Sequence, residues 1–295
     1  MTWWCVATER PWDWTPRPYL GVWLLCAGLI AAYVIAWRRH GGRPTRRQGW
    51  QFAGGVAALW VASDWPVGAL GGGYLSSVHM LQFMLYTLAA APLLMLSTPE
   101  WMAAAVLGRL RLGKLWAWCT RPVAAALITN AVLLATHNPF SVDLFRSSQA
   151  GSFLLDMIWL VGGTIMWAPI INPIRSLRPG SALVKIVYLF CAAALIPMIP
   201  GGFIAFSPHP LYATYELAPR VGIAALADQQ FAGVLMKIGN VPVIWAVMGV
   251  IWFRWYEAER RSDEARRKAK GPARGPVRAA PVATSAEPIR HDGRI

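Results

Sequence analysis

Between Ser77 and Leu96 the chain runs for twenty residues without a charged side chain, yet a histidine, His79, and an amide, Gln82, sit in its first turns. Twenty mainly apolar residues are enough to cross the hydrocarbon of a bilayer as a helix. Inside that hydrocarbon, polar groups must find partners within the protein, so an imidazole and an amide at one end of such a stretch mark a site. The composition agrees: 56% of the 295 residues are hydrophobic, 14% are charged and 17 are tryptophan. A soluble domain of ordinary make-up is excluded, and the expected class is all-α, a polytopic membrane protein.

Six further stretches have the same character, near residues 19–37, 50–64, 122–135, 152–171, 183–206 and 228–252. The segments between them alternate in charge. Arg38, Arg39, Arg43, Arg46 and Arg47 follow the first stretch with no acidic residue among them. Arg109, Arg111, Lys114 and Arg121 follow the third, and Arg175, Arg178 and Lys185 the fifth. The other connections, 65–73, 136–146 and 207–227, are nearly neutral. Lysine and arginine accumulate on the cytoplasmic side of membrane proteins, so the pattern predicts a seven-transmembrane helix bundle with its N-terminus outside and its C-terminus cytoplasmic. The net charge of +14 is thereby a topology signal, and no nucleic acid partner is expected.

Residues 1–18, with four tryptophans and three prolines, read as an interfacial N-terminal arm, residues 19–253 as the transmembrane domain, and residues 254–295 as a basic cytoplasmic tail. Residues 254–270 can continue the last helix, and the Pro/Ala/Arg-rich run from about 271 has the composition of a disordered segment. Pro197 and Pro200 are expected to kink the sixth span, and the glycines of 65–73 permit a tight or re-entrant connection. The four cysteines are isolated, with no CxxC, which gives neither a disulfide framework nor a thiolate metal motif.

With that orientation, polar side chains gather at the outer ends of the spans: Asp64, His79, Met80, Gln82, Met84, His137, Asp143, Asp156, Met198, His209, Asp228, Gln229, Gln230 and Met236. Imidazole, thioether and carboxylate without thiolate suit copper, thioether being a soft ligand for Cu(I). The same residues also admit structural roles. Methionines fill irregular gaps, Asp64 and Asp143 can cap helices, and Asp156 can pair with a buried donor. Lys237 can snorkel or pair with Asp156 or Asp64. The inner halves of the spans lack a matching polar path, and no internal repeat suggests a transporter. No nucleophile, base and orienter set supports an enzyme.

His79-Met-Leu-Gln82, the later Ala-Pro-Leu-Leu-Met-Leu, Thr136-His137-Asn-Pro139 with Asp143, Trp167-Ala-Pro, Pro208 to Tyr212, and Asp228-Gln-Gln-Phe-Ala-Gly233-Val-Leu-Met236 occur in order across about residues 50–255. Together they resemble the multi-spanning cytochrome c oxidase assembly factor family called CtaG. The resemblance implies seven transmembrane helices in the bacterial cytoplasmic (inner) membrane and a role in maturing haem-copper oxidase by handling or delivering copper at the outer face. Oxidase subunits and a periplasmic copper chaperone are the implied partners. His79, Met80, His137, Asp143, Asp228 and Met236 match the family's polar positions, and Asp156 joins them as a candidate metal ligand. The chain departs from the pattern twice. Phe83 stands where the family has a second histidine four residues after the first, and Ser152, Leu155 and Asp156 stand where it has a His/Glu-His cluster. The alternative these departures imply is a scaffold or accessory subunit of a respiratory oxidase that binds no metal.

Overall fold

A computed structural model describes residues 2–270, and among them every regular element is helical. The chain divides at Phe253/Arg254 into two units. In order, the helices are α1 Leu20–His40, α2 Arg46–Ser63, α3 Val67–Gly73, α4 Ser76–Ser97, α5 Glu100–Arg109, α6 Gly113–Cys119 and α7 Pro122–Thr136. They continue with α8 Pro139–Arg146, α9 Gln149–Ile171, α10 Ala182–Phe206, α11 Ala213–Glu216, α12 Ala225–Ile238 and α13 Val241–Lys270. The tail from 271, read from its composition as disordered, lies outside the described residues.

Five helical runs are long and apolar enough to cross a membrane: Leu20–His40, Ser76–Ser97, Gln149–Ile171, Ala182–Phe206 and Ala225–Ala269. A sixth is added if α6 and α7, bent by 85° at their junction, form one broken span. Helix α2, expected as the second span, does not qualify, because its 18 residues open on Arg46-Arg47-Gln48 and leave a short apolar run. Its start is fixed by a capping box: the Thr45 hydroxyl accepts from Gln48 N–H at 3.2 Å and the Gln48 side chain accepts from Thr45 N–H at 3.0 Å.

Helix α4 is the centre of the first unit, packed against α2, α9 and α12, while α7 packs on α9 and α10 lies along α12. The α10–α12 pairing depends on glycine. A Cβ on Gly233 would come within 2.3 Å of Ala205 N, and one on Gly201 within 2.9 Å of Lys237 N. The two backbones thus touch at a distance that no side chain allows.

Two spans contain π-helical segments, Leu85–Ala90 in α4 and Leu189–Leu195 in α10. Each lies just before a proline, Pro92 and Pro197. A proline inside a helix lacks its own N–H and crowds the carbonyl four residues earlier, and widening the preceding turn to i→i+5 bonding relieves both. The irregularity expected at Pro197 therefore begins a turn upstream of it, and α4 carries a second one.

The N-terminal arm does not stay at a surface, as its tryptophan content suggested. Trp4 and Cys5 are wholly buried, in a core cluster with Val22, Leu59, Tyr86, Leu155 and Trp159. Glycines make the path: a Cβ on Gly73 would meet Ala7 Cα at 2.7 Å, and one on Gly72 would meet Cys5 Cβ at 3.0 Å. The Trp65–Gly73 connection is accordingly the short helix α3 with the arm laid against it. The outer half of the arm keeps the aromatic character expected of it, Trp12 stacking on Trp65 at 6.5 Å and meeting Tyr74 edge-on at 5.2 Å.

Candidate functional site

The polar end of α4 faces the end of α8, the start of α9 and the C-terminus of α7, and the group that organises them is Arg146. Its side chain is fully buried and forms an ion pair with Asp156, also fully buried, at 3.2 Å. Nη2 also donates to Gln82 Oε1 at 3.3 Å, Nη1 reaches Cys5 Sγ at 3.6 Å, and the guanidinium lies 5.3 Å from the Trp159 ring centroid. Asp156 accepts a further bond from the Trp4 indole N–H at 2.8 Å, which is what draws the arm into the core. Gln82 completes its amide by donating to Ala62 O at 2.7 Å. A charge buried at membrane depth must be paired and bonded in this manner to persist.

Asp156 therefore has Arg146 as its cation. Lys237, the partner suggested by sequence, instead holds its ammonium 5.2 Å from the centroid of the Phe206 ring. Asp64, the other suggested partner, accepts from Tyr19 N–H and the Trp23 indole, each at 2.8 Å, and so caps the start of α1.

The rings of His79 and His137 are neighbours, their centroids 5.8 Å apart and their planes at 76°. Trp159 packs against both, at 4.8 and 5.8 Å, and Phe83 meets His137 edge-on at 4.7 Å. The tautomers are assigned from the hydrogen-bond partners. Tyr215 Oη is 2.7 Å from Gly71 O and 2.8 Å from His79 Nδ1. A carbonyl only accepts, so the phenol proton goes to Gly71, and the phenol oxygen accepts from His79 Nδ1–H. The 3.3 Å approach of Arg146 Nη2 to the same Nδ1 is then a contact between two donors, the Nη2 protons being used on Gln82 and Asp156. His137 Nδ1 is 2.9 Å from Leu133 O, so it too carries the proton. Both Nε2 atoms are left as bare lone pairs, buried and without a hydrogen-bond partner. A neutral imidazole whose Nδ1–H is held by a second group, with Nε2 free, is the form in which histidine ligates a metal.

The remaining sequence candidates separate into two groups. Met80 and Met236 are buried together in a cluster with Leu133, Ile204, Tyr212 and Tyr215. The carboxylates are engaged elsewhere. Asp228 caps the start of α4, accepting from Ser76 N–H at 2.6 Å and Ser76 Oγ at 2.7 Å and from the Ser77 hydroxyl. Asp143 caps α11 through Thr214 N–H at 2.9 Å and Thr214 Oγ1 at 2.7 Å. His209 is exposed, and its backbone carbonyl binds Ser207 and Gln229. Among the described residues no three His, Cys, Asp or Glu side chains converge to hold a metal ion.

Inward of the histidine pair lies a cavity of about 50 Å³, lined by Phe83, Met84, Thr87, Trp159, Met236 and Asn240. It has room for a water or two. Both π-helical segments border it, through Thr87 and through Ala192 and Ala193, so the widened turns shape its walls.

Arg146 is the residue that sequence reasoning passed over, as the one base of a near-neutral outer connection. The available signal was Asp156, an acid inside an apolar stretch that required a cation, with a base ten residues before it.

No curated protein and no solved structure matches the chain. The sequence model of the cytochrome c oxidase caa3 assembly factor family, Caa3_CtaG, matches residues 28–258, most of the chain and all of the helices that build this site, and the protein belongs to that family.

Proposed function

We propose that the protein is a non-catalytic assembly factor of the bacterial cytoplasmic membrane that handles Cu(I) for a haem-copper cytochrome c oxidase, with His79 and His137 as its ligands. The observation that carries the reading is the pair of buried, unpartnered Nε2 lone pairs on two imidazoles whose ring centroids are 5.8 Å apart. Two imidazoles are a sufficient set for Cu(I), a d¹⁰ ion that accepts two-coordinate geometry, and insufficient for Zn²⁺, which takes four ligands. The surroundings favour a monovalent ion: Arg146 and Asp156 cancel one another, so no net negative charge is present to balance a dication. Met80 and Met236, soft thioethers, are buried in the cluster that includes Tyr215, the hydrogen-bond partner of His79. Asp143, Asp156 and Asp228 act as structural acceptors that hold α11, the arm and α4 in place. Oxidase subunits and a periplasmic copper donor are the proposed partners.

In the membrane, α2 serves as a seventh span, since it packs against α4 with Leu59, Ala62 and Ser63 fully buried. The positive-inside pattern then places the N-terminus outside, the C-terminus in the cytoplasm and the histidine pair toward the outer face.

A second reading, a scaffold for the oxidase without a metal of its own, draws on Phe83, whose ring occupies the space against His137 where a third ligand would stand. Deletion of the protein separates the two. Under the copper reading the oxidase loses copper and activity and regains both on copper supplementation. Under the scaffold reading the subunits fail to associate, and added copper changes nothing. Normal oxidase in the deletion strain would sink both.

A further inference from the structure

Helix α1 is attached to the rest of the bundle chiefly through α2, and the two are held together at two aromatic clasps. Trp23 meets Trp60 edge-on at 5.6 Å, and Tyr33 stacks on Phe52 at 3.9 Å with planes 7° apart. Beside the clasps the facing positions are small, Ala27 on α1 and Ala53 and Ala57 on α2, so the helices do not close on each other. The result is a lateral groove of about 1070 Å³. That is the size of a pocket that encloses a large ligand.

The groove has two chemically different ends. From Trp23 to Arg38 it follows α1 for fifteen residues, about 22 Å at 1.5 Å per residue. This exceeds the roughly 15 Å half-thickness of a bilayer's hydrocarbon. Its walls along that length are aromatic and aliphatic. At the far end α1 stops at Gly41, in the left-handed conformation at φ 75°, and the chain turns so that Arg38 and Arg43 both border the groove. Both arginines are exposed, neither has an ion-pair partner among the described residues, and no acidic residue occurs between Leu20 and Ser63.

We infer that this groove binds an anionic phospholipid, the acyl chain lying along α1 and α2 and the phosphate held by Arg38 and Arg43. Charge complementarity selects the class. Two unpaired guanidiniums at the mouth of an apolar channel call for an amphiphile with a negative head, and arginine matches phosphate oxygens in bidentate fashion. The basic end lies on the side that the charge pattern assigns to the cytoplasmic leaflet, where anionic lipids meet juxtamembrane arginines. The bound lipid seals α1 to the bundle where protein side chains leave a gap.

The full-length protein, purified in mild detergent and stripped of lipid, is titrated with phosphatidylglycerol and with phosphatidylcholine of the same acyl chains, and one-to-one adducts are counted by native mass spectrometry. Phosphatidylglycerol is expected to be retained more strongly, on the order of tenfold from two arginine contacts. The exposed pair Arg38→Gln/Arg43→Gln should remove the preference, and Ala57→Trp, which fills the groove, should remove both adducts. Because the basic C-terminal stretch also attracts anionic lipid, Arg266→Gln/Arg267→Gln/Lys268→Gln serves as the control and should leave the preference intact. If Ala57→Trp does not fold, the arginine pair still decides. Equal retention of the two lipids, a preference that survives Arg38→Gln/Arg43→Gln, or loss of preference in the tail variant would each overturn the inference. So would a dimer that forms with no lipid adduct at all, which would assign the groove to a second copy of the chain.

Discussion

Replacing Arg146 by methionine tests whether the buried network organises the site. The substitution keeps most of the volume and removes the charge. Asp156, fully buried, then keeps the Trp4 indole at 2.8 Å as its remaining strong donor, and Gln82 Oε1 loses its donor. Leaving one member of a buried pair uncompensated costs about 3–5 kcal/mol. For a chain of this size that lowers Tm by on the order of 10 °C. Removing both charges, as in Arg146→Met/Asp156→Leu, should recover most of the loss, because the expense lies in the isolated carboxylate. Thermal unfolding of the four proteins of the cycle in detergent, followed by tryptophan fluorescence, gives the coupling directly, and a value of at least 2 kcal/mol is expected. Additive single effects, or a loss below 1 kcal/mol in Arg146→Met, would show that the pair is solvated and that the network does not hold the site together.

Three other outcomes follow from the same geometry. Asp228→Ala removes the acceptor at the start of α4 and should cost about 2 kcal/mol in thermal stability, a larger loss than that of an exposed cap. An unchanged Tm would contradict the role given to it. Gly233→Val pushes α10 from α12 and should destabilise by about 1–3 kcal/mol, whereas Gly202→Ala, whose Cβ meets nothing within 4 Å, should change stability by less than about 0.5 kcal/mol. Similar effects at both glycines would refute the close approach. Phe83→His places a third imidazole beside His137 and is expected to tighten Cu(I) binding at least tenfold in chelator competition. No gain there would mean that the histidines do not form the ion's environment.

Much of the helical plan is legible in the sequence because the bilayer imposes long apolar runs and a sided distribution of arginine. Those constraints act through composition, so α1, α4, α9 and α10 are found near their observed limits. They act more weakly on α2, where the apolar run is short and the helix is set by the Thr45 capping box and by packing. They fail for the arm, whose tryptophans signal an interface while Trp4 answers to a carboxylate 152 residues away. The site divides in the same way. His79 and His137 stand out as imidazoles at span ends, and Met80 and Met236 as soft, buried side chains. Asp143 and Asp228 carry the same chemical label but are capping groups, which only their three-dimensional neighbours show. Arg146 was obscured by its position at the end of a loop helix, where a single base is ordinary.

The most direct measurement is Cu(I) binding by the full-length protein under anaerobic conditions, by elemental analysis and chelator competition, for the wild type, His79→Ala, His137→Ala, Asp143→Asn and Asp228→Asn. The account predicts one copper per chain, lost in each histidine variant and kept in both aspartate variants. Copper binding that survives both histidine substitutions, or a wild type that fails to compete with the chelator, would contradict it.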